Sequence, residues 1–410
     1  MVVEPVPRRY DRIRHPGITR RAAVYTQVMR TSYLAFGRPN FSDEEEQALV
    51  RVLRSGWVGM GPETLAFERE LADFVGAPHV VTVNSCTSAL FLSLLAAGVR
   101  QGDEVICPSL TWCSTANAAL YLGARPVFCD VDEETLCVSP ESVAARVSSR
   151  TRAVVAVHFA GYAVDVAALR RALPREIAIV EDAAHALGAR YPDGSPVGSS
   201  RNPVCFSFYA NKNLSTAEGG AIAFFDQDAA ERVASLRQHA LPIDAWKRFT
   251  QPKSLLLSGA LEDLGYKMNY TDLQAALGRV QLRRQGEFAA TRSEVARVYF
   301  EALKDLKPVR FQRDCTGERH ARHLFVIRAR PGWPGMARDE LVAALRAKNL
   351  GASVHYAPLH RMPLYAPGAP HPALPVTEEA AASILTLPIG AAMSREDALE
   401  VVRELRTLIA

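Results

Sequence analysis

Short apolar runs rich in β-branched residues recur along this chain, and most are separated by stretches of helix length. They occupy residues 80–83, 105–107, 126–129, 153–157, 177–180, 204–209 and 221–225. Runs without polar alternation suit strands covered on both faces, and segments such as 87–97 and 115–122 supply the covering helices. The pattern predicts an α/β fold: a mostly parallel seven-stranded sheet with helices on both faces. The last two runs are too close in sequence for a crossover helix, so one is expected to run antiparallel at or near an edge.

Helix starts frame this alternation. Ser42 with Glu45 three residues on forms a capping box, and Thr271 with Gln274 forms another, whose helix carries Leu273, Leu277 and Val280 as an apolar stripe. A long charged helix over 283–303 leads to a strand at 323–327 and a helix at 338–349. With 410 residues there is room for more than one unit. We expect a basic N-terminal extension (1–33), a large domain (34–285) and a smaller C-terminal α+β domain (286–410).

Charge narrows the partners. The seven Arg of residues 1–30 (Arg8, Arg9, Arg12, Arg14, Arg20, Arg21, Arg30), set against Glu4 and Asp11, carry the whole formal excess of +4. The rest of the chain is too balanced for a nucleic-acid footprint. No apolar run approaches the roughly 20 residues of a membrane helix, so a soluble protein with no membrane partner is expected. Seven scattered Cys without a Cys-x-x-Cys pair favour reduced thiols in a cytoplasm over disulfides or a structural zinc. For residues 1–28 the readings are a poorly ordered extension, a start at Met29, a basic arm for an acidic partner, or a transit peptide.

In open parallel sheets ligands bind beyond the carboxyl ends of the strands, so the loops there are the site candidates. Asn84-Ser85-Cys86-Thr87-Ser88 opens a helix, where backbone N–H groups and hydroxyls suit an anion or simply cap the helix. Glu181-Asp182-Ala183-Ala184-His185 places two acids at a buried strand end, with small residues that admit a flat ligand. Lys212 follows another strand; a lysine there is either a solvated surface group or a desolvated nucleophile for Schiff-base chemistry. Trp112, in the loop after Cys107-Pro108, is a core residue or a stacking platform. Neither a Gly-x-Gly-x-x-Gly nor a Walker-type Gly-Lys-Ser/Thr is present, which removes the usual dinucleotide and triphosphate signatures. An anion cradle, an acid, an amine nucleophile and a stacking ring together suit pyridoxal 5′-phosphate (PLP).

The ordered motifs Asn84-Ser85-Cys86-Thr87-Ser88-Ala89-Leu90, Gly102-Asp103-Glu104-Val105-Ile106, Glu181-Asp182-Ala183-Ala184-His185 and Phe206-Ser207-Phe208-Tyr209, then Lys212-Asn213 and Glu218-Gly219-Gly220, carry a resemblance. They resemble the DegT/DnrJ/EryC1/StrS family of PLP-dependent sugar aminotransferases. The likeness runs from about Leu34 to the C-terminus and includes Asn269-Tyr270, His323-Leu324-Phe325 and Val354-His355-Tyr356. Within the family, Ser109-Leu110-Thr111-Trp112, His185 and Lys212-Asn213 are most similar to the branch making UDP-4-amino-4-deoxy-L-arabinose. The resemblance implies a fold-type-I aminotransferase with Lys212 holding PLP as a Schiff base and shuttling protons. Asp182 would pair with the pyridine nitrogen, Trp112 stack on the ring, and His185 lie near it. Thr87, Ser88 and Ser207 would bind the phosphate, and Asn269 would reach it from the other chain of a homodimer. The implied reaction aminates a nucleotide-linked keto sugar, at C4, with glutamate as donor. Alternatives are a keto-cyclitol or sugar-aldehyde substrate in antibiotic biosynthesis, or a catalytically idle regulator or scaffold. Some relatives carry His in place of the lysine and act as dehydratases, and Lys212 argues for transamination. Substrate choice is expected to depend on 246–261 and the C-terminal domain.

Overall fold

The computed structural model describes residues 30–241, 246, 250, 261, 263–307, 309–317, 319–329, 336–365 and 373–409. Most of the basic extension and most of the 246–261 segment lie outside the described residues.

All seven apolar runs are strands of one sheet: β1 (His79–Val83), β2 (Glu104–Pro108), β3 (Arg125–Cys129), β4 (Thr151–Val157), β5 (Ala178–Asp182), β6 (Val204–Ser207) and β7 (Gly220–Phe224). Their order is β1-β7-β6-β5-β4-β2-β3. β7 is antiparallel to both its neighbours, β1 and β6, and every other pairing is parallel. The reversed strand therefore lies one position from an edge, in keeping with the short connection before it. β6 stops at Ser207 rather than Tyr209. Beyond it the Phe208 amide donates to Gly219 O at 2.9 Å and closes the loop that contains Lys212.

Helices α1 (Asp43–Ser55), α2 (Pro62–Val75), α3 (Cys86–Ala96) and α4 (Ser114–Leu120) precede or alternate with the first strands. Ser42 and Glu45 form the expected capping box on α1, and Thr271 with Gln274 caps the helix Asp272–Arg283. α3 is buried along nearly its whole length. It reaches the sheet closely because Gly220 carries no side chain: a Cβ there would lie 2.6 Å from the Cys86 amide nitrogen. The start of α3 is thus pressed against β7 beside the carboxyl ends of the parallel strands. That is the edge where the ligand loops gather.

A second, three-stranded sheet of order β10-β9-β8 is formed by β8 (Val309–Phe311), β9 (Phe325–Ala329) and β10 (Ile384–Leu387). β9 starts two residues later than its apolar run suggests, because the Leu324 amide is taken by Ala160 O at 3.1 Å in a loop of the large sheet. The helices Gln285–Leu303, Arg338–Ala347 and Arg395–Ile409 cover this sheet and share a core with it, through Val295, Leu345 and Leu405 among others. The predicted 283–303 helix breaks at Arg284 and continues as Gln285–Leu303. Among the described residues no helix is long and apolar enough to cross a membrane, and no His/Cys/Asp/Glu group is arranged to hold a metal.

Candidate active site

Thr87, Trp112, Asp182, His185, Ser207 and Lys212, drawn from loops far apart in sequence, line one cavity of about 480 Å³ at the carboxyl edge of the large sheet. The two acids at the end of β5 separate by strand alternation. Glu181 turns away from the cavity and is fully buried. It is bonded to His158 Nε2 (2.9 Å), Tyr191 Oη (2.6 Å), Ser200 Oγ (2.5 Å) and Asn202 Nδ2 (2.8 Å). Asp182 turns into the cavity. Thr115 Oγ1 donates to its Oδ2 at 2.8 Å, and the Ala184 amide donates to Oδ1 at 3.2 Å. Only one of the two adjacent carboxylates is therefore available to a ligand.

The Lys212 side chain has no hydrogen-bond or ion-pair partner among the described residues. Its amine is lowered to about 8: burial disfavours the ammonium, and this outweighs the opposing pull of Asp182. About a tenth is then uncharged at pH 7, far more than an ordinary lysine offers, and that share supplies the nucleophilic amine. Burial holds the neighbouring Cys86 thiol well above its ordinary range, so it stays protonated and offers no competing thiolate. His185 is kept neutral, first by burial and then by the nearby Lys212 charge.

In the same lining, the first turn of α3 presents hydroxyls and backbone N–H groups. Thr87 Oγ1 and Ser114 Oγ lie 2.8 Å apart, and Ser85 caps the helix by accepting from the Ser88 amide at 3.1 Å. A helix N-terminus with hydroxyls around it suits a phosphate. Trp112, 61% exposed, stands at the cavity mouth with its ring 5.9 Å from that of Tyr356. The set fits PLP, since one lining brings together an anion cradle, a carboxylate, an amine and an aromatic face.

Two of the expected residues stay out of this lining. Ser88 is buried, and its Oγ donates to Asn84 Oδ1 at 2.7 Å. Asn269 lines a separate cleft beside Trp57 and Lys267, and its Nδ2 donates to Tyr270 O at 3.3 Å. Conversely, reasoning from the sequence assigned no role to Thr115 or Tyr356. Tyr356 belonged to a motif already noticed, and its place next to His185 comes from a segment 171 residues away. Thr115 carried no signal beyond standing near a helix start.

The chain matches the DegT/DnrJ/EryC1/StrS aminotransferase family over residues 39–406. It belongs to that family. This aminotransferase is 39% identical to the spore coat polysaccharide biosynthesis protein SpsC of Bacillus subtilis (strain 168), over 93% of this chain and 98% of SpsC. Among solved structures it is similar to DesI, determined in the presence of its TDP-sugar product, with 32% identity and a TM-score of 0.82 over 92% of this chain and 93% of DesI. It is also similar to Spr1654 from Streptococcus pneumoniae. The PLP form gives 26% identity and a TM-score of 0.82 over 92% of this chain and 98% of that one. The PMP form of Spr1654 gives 28% identity and a TM-score of 0.83 over 91% and 98%. The fold is that of fold-type-I aminotransferases and the enzyme is PLP-dependent.

Proposed function

We propose that this aminotransferase converts a nucleotide-linked keto sugar, at C4, to the amino sugar, with glutamate as the amino donor. The observation that carries the reading is the unpartnered Lys212 amine in one cavity with Asp182 and the α3 cradle. The TDP-sugar product of DesI and the polysaccharide role of SpsC support the substrate class. The same reading takes the protein as a cytoplasmic homodimer, in which Asn269 completes the partner's phosphate site. It also keeps the division into an extension (1–33), a large domain (34–285) and a small domain (286–410), supported by the separate core of the second sheet.

Bound PLP supplies an electron sink for the carbon that gains or loses nitrogen. Lys212 would hold the cofactor covalently and, with its amine free, would move the proton between the two carbons; an amine lowered to about 8 suits both tasks. Asp182 holds a proton on the ring nitrogen by opposite charge, and Thr115 and the Ala184 amide fix its two oxygens. Thr87, Ser207 and the N–H groups of α3 bind the phosphate, and Ser88 joins them when its hydroxyl turns from Asn84. Trp112 would stack on the ring, and His185, a neutral group, would lie near it.

The test is a spectrophotometric half-reaction. Holoenzyme is converted to its amino form by glutamate, then offered keto-sugar nucleotides and keto-inositols. Recovery of the original spectrum with a 4-keto-sugar nucleotide is expected. Recovery only with a keto-inositol would transfer the assignment to cyclitols, and a colourless purified protein inert to glutamate would point to an idle scaffold.

A further inference from the structure

We propose that Tyr356 is a specificity-determining residue whose O–H donates to an oxygen of the bound keto sugar, because its own oxygen is occupied by the Nε2–H of His185. The inference rests on the proposed function and names a residue that reads the sugar.

His185 stands next to Tyr356. Its Nε2 lies 3.2 Å from Tyr356 Oη, and its Nδ1 is buried with no hydrogen-bond partner. Being neutral, the ring carries one proton. A proton on Nδ1 would be a buried N–H with no acceptor, rarer in folded proteins than a buried acceptor left without a donor. With the proton on Nε2, it meets the phenol oxygen, and Nε2–H is also the form neutral imidazole intrinsically favours. Nδ1 is shut off from the cavity, so a ligand there cannot reverse the choice.

The consequence falls on Tyr356. An oxygen that accepts from Nε2–H keeps its own O–H free to donate, and Tyr356 lines the cavity with Lys212 and Trp112. Burial, with Asp182 nearby, raises the phenol above its ordinary range, so it keeps that proton. The donor is firmly placed. Three residues on, the Leu359 amide donates to Ser109 O at 3.0 Å. The His360 amide donates to Ser109 Oγ at 3.0 Å, and His360 Nδ1 lies 2.7 Å from the same oxygen. Tyr365 Oη donates to Asn117 Oδ1 at 2.7 Å. The Tyr356 segment is thus pinned to the loop and helix on either side of Trp112. A fixed donor at the cavity wall discriminates sugars by whether they offer an oxygen there.

Two measurements on holoenzyme test this. Nitrogen-15 NMR of histidine-labelled wild type is expected to show His185 protonated on Nε2 and bare on Nδ1; protonation on Nδ1 would overturn the proposal. Tyr356→Phe is expected to keep the cofactor spectrum and the glutamate half-reaction, while half-saturation by TDP-4-keto-6-deoxyglucose rises about tenfold, as for one lost hydrogen bond. Unchanged half-saturation, or a glutamate half-reaction slowed as much as the sugar one, would also overturn it. Should wild type convert with glutamate but fail to aminate the sugar, the proposed function falls, and the His185 tautomer alone decides whether Tyr356 has a free donor.

Discussion

Thr115 Oγ1 donates to Asp182 Oδ2 at 2.8 Å, across 67 residues of sequence and within a buried contact. The bond aims the carboxylate into the cavity and leaves Thr115 no donor for anything else. A hydrogen bond to a charged group contributes about 1.5–3 kcal/mol. Thr115→Val is therefore expected to bind PLP yet lose roughly tenfold or more in kcat, with Thr115→Ser restoring most of it. A Val variant with wild-type kcat would show that Asp182 needs no such support.

Lys212→Ala is expected to lose the cofactor mass that borohydride fixes on the wild-type chain. The pH dependence has a definite sign. With the amine lowered to about 8 from 10.5, the uncharged form grows as pH rises and predominates above about 8. The rate at which cofactor-free protein captures PLP covalently should climb to about pH 8 and then level. A rate still climbing toward pH 10 would mean that Lys212 is not desolvated.

Glu181 is expected to support stability rather than chemistry. Replacing it with Ala strands His158, Tyr191, Ser200 and Asn202 in the interior, and the expected cost is about 3 kcal/mol, read from urea denaturation. Burial pushes its carboxyl up, but the hydrogen bonds from His158, Ser200 and Tyr191 outweigh this and hold it below its ordinary range. A carboxyl lowered in the folded state stabilises fully above its unfolded value and loses that contribution as pH falls through the folded one. Wild type should therefore lose stability in acid faster than Glu181→Ala does. Parallel acid profiles would remove Glu181 from this role.

Asn269 is expected to serve the partner chain, consistent with its place outside the cavity of its own. Mixing Lys212→Ala and Asn269→Ala chains should give mixed dimers in which one site has both residues intact. With random pairing, about a quarter of all sites should recover. The Asn269→Ala parent must itself be impaired at limiting cofactor. If it is and mixing restores nothing, Asn269 acts within its own chain.

The sheet was legible because seven apolar runs without polar alternation have few ways to be buried, and the short link before 221–225 required a reversed strand. Strand ends point to one edge of such a sheet, so Asp182 and Lys212 were legible as neighbours from their positions after strands alone, whereas Ser207, inside the 204–209 run, was named only through the family resemblance. Local hydrogen bonding to loop backbone was not legible, and it moved the strand starts and ends: the Thr216 amide took Phe208 O and ended β6 at Ser207, and Ala160 O delayed β9 to Phe325. Which of Glu181 and Asp182 faces the cavity depended on how β5 is turned in the sheet. The partners of the site groups lay further out of reach. Thr115 meets Asp182, and Tyr356 meets His185, only because helices and a C-terminal segment pack there. Periodicity and strand-end position are properties of consecutive residues, so the sequence by itself determined the sheet and the edge where chemistry gathers. Hydrogen-bond partners and the lowering of the Lys212 amine arise from groups brought together through space, and only the tertiary structure decided them.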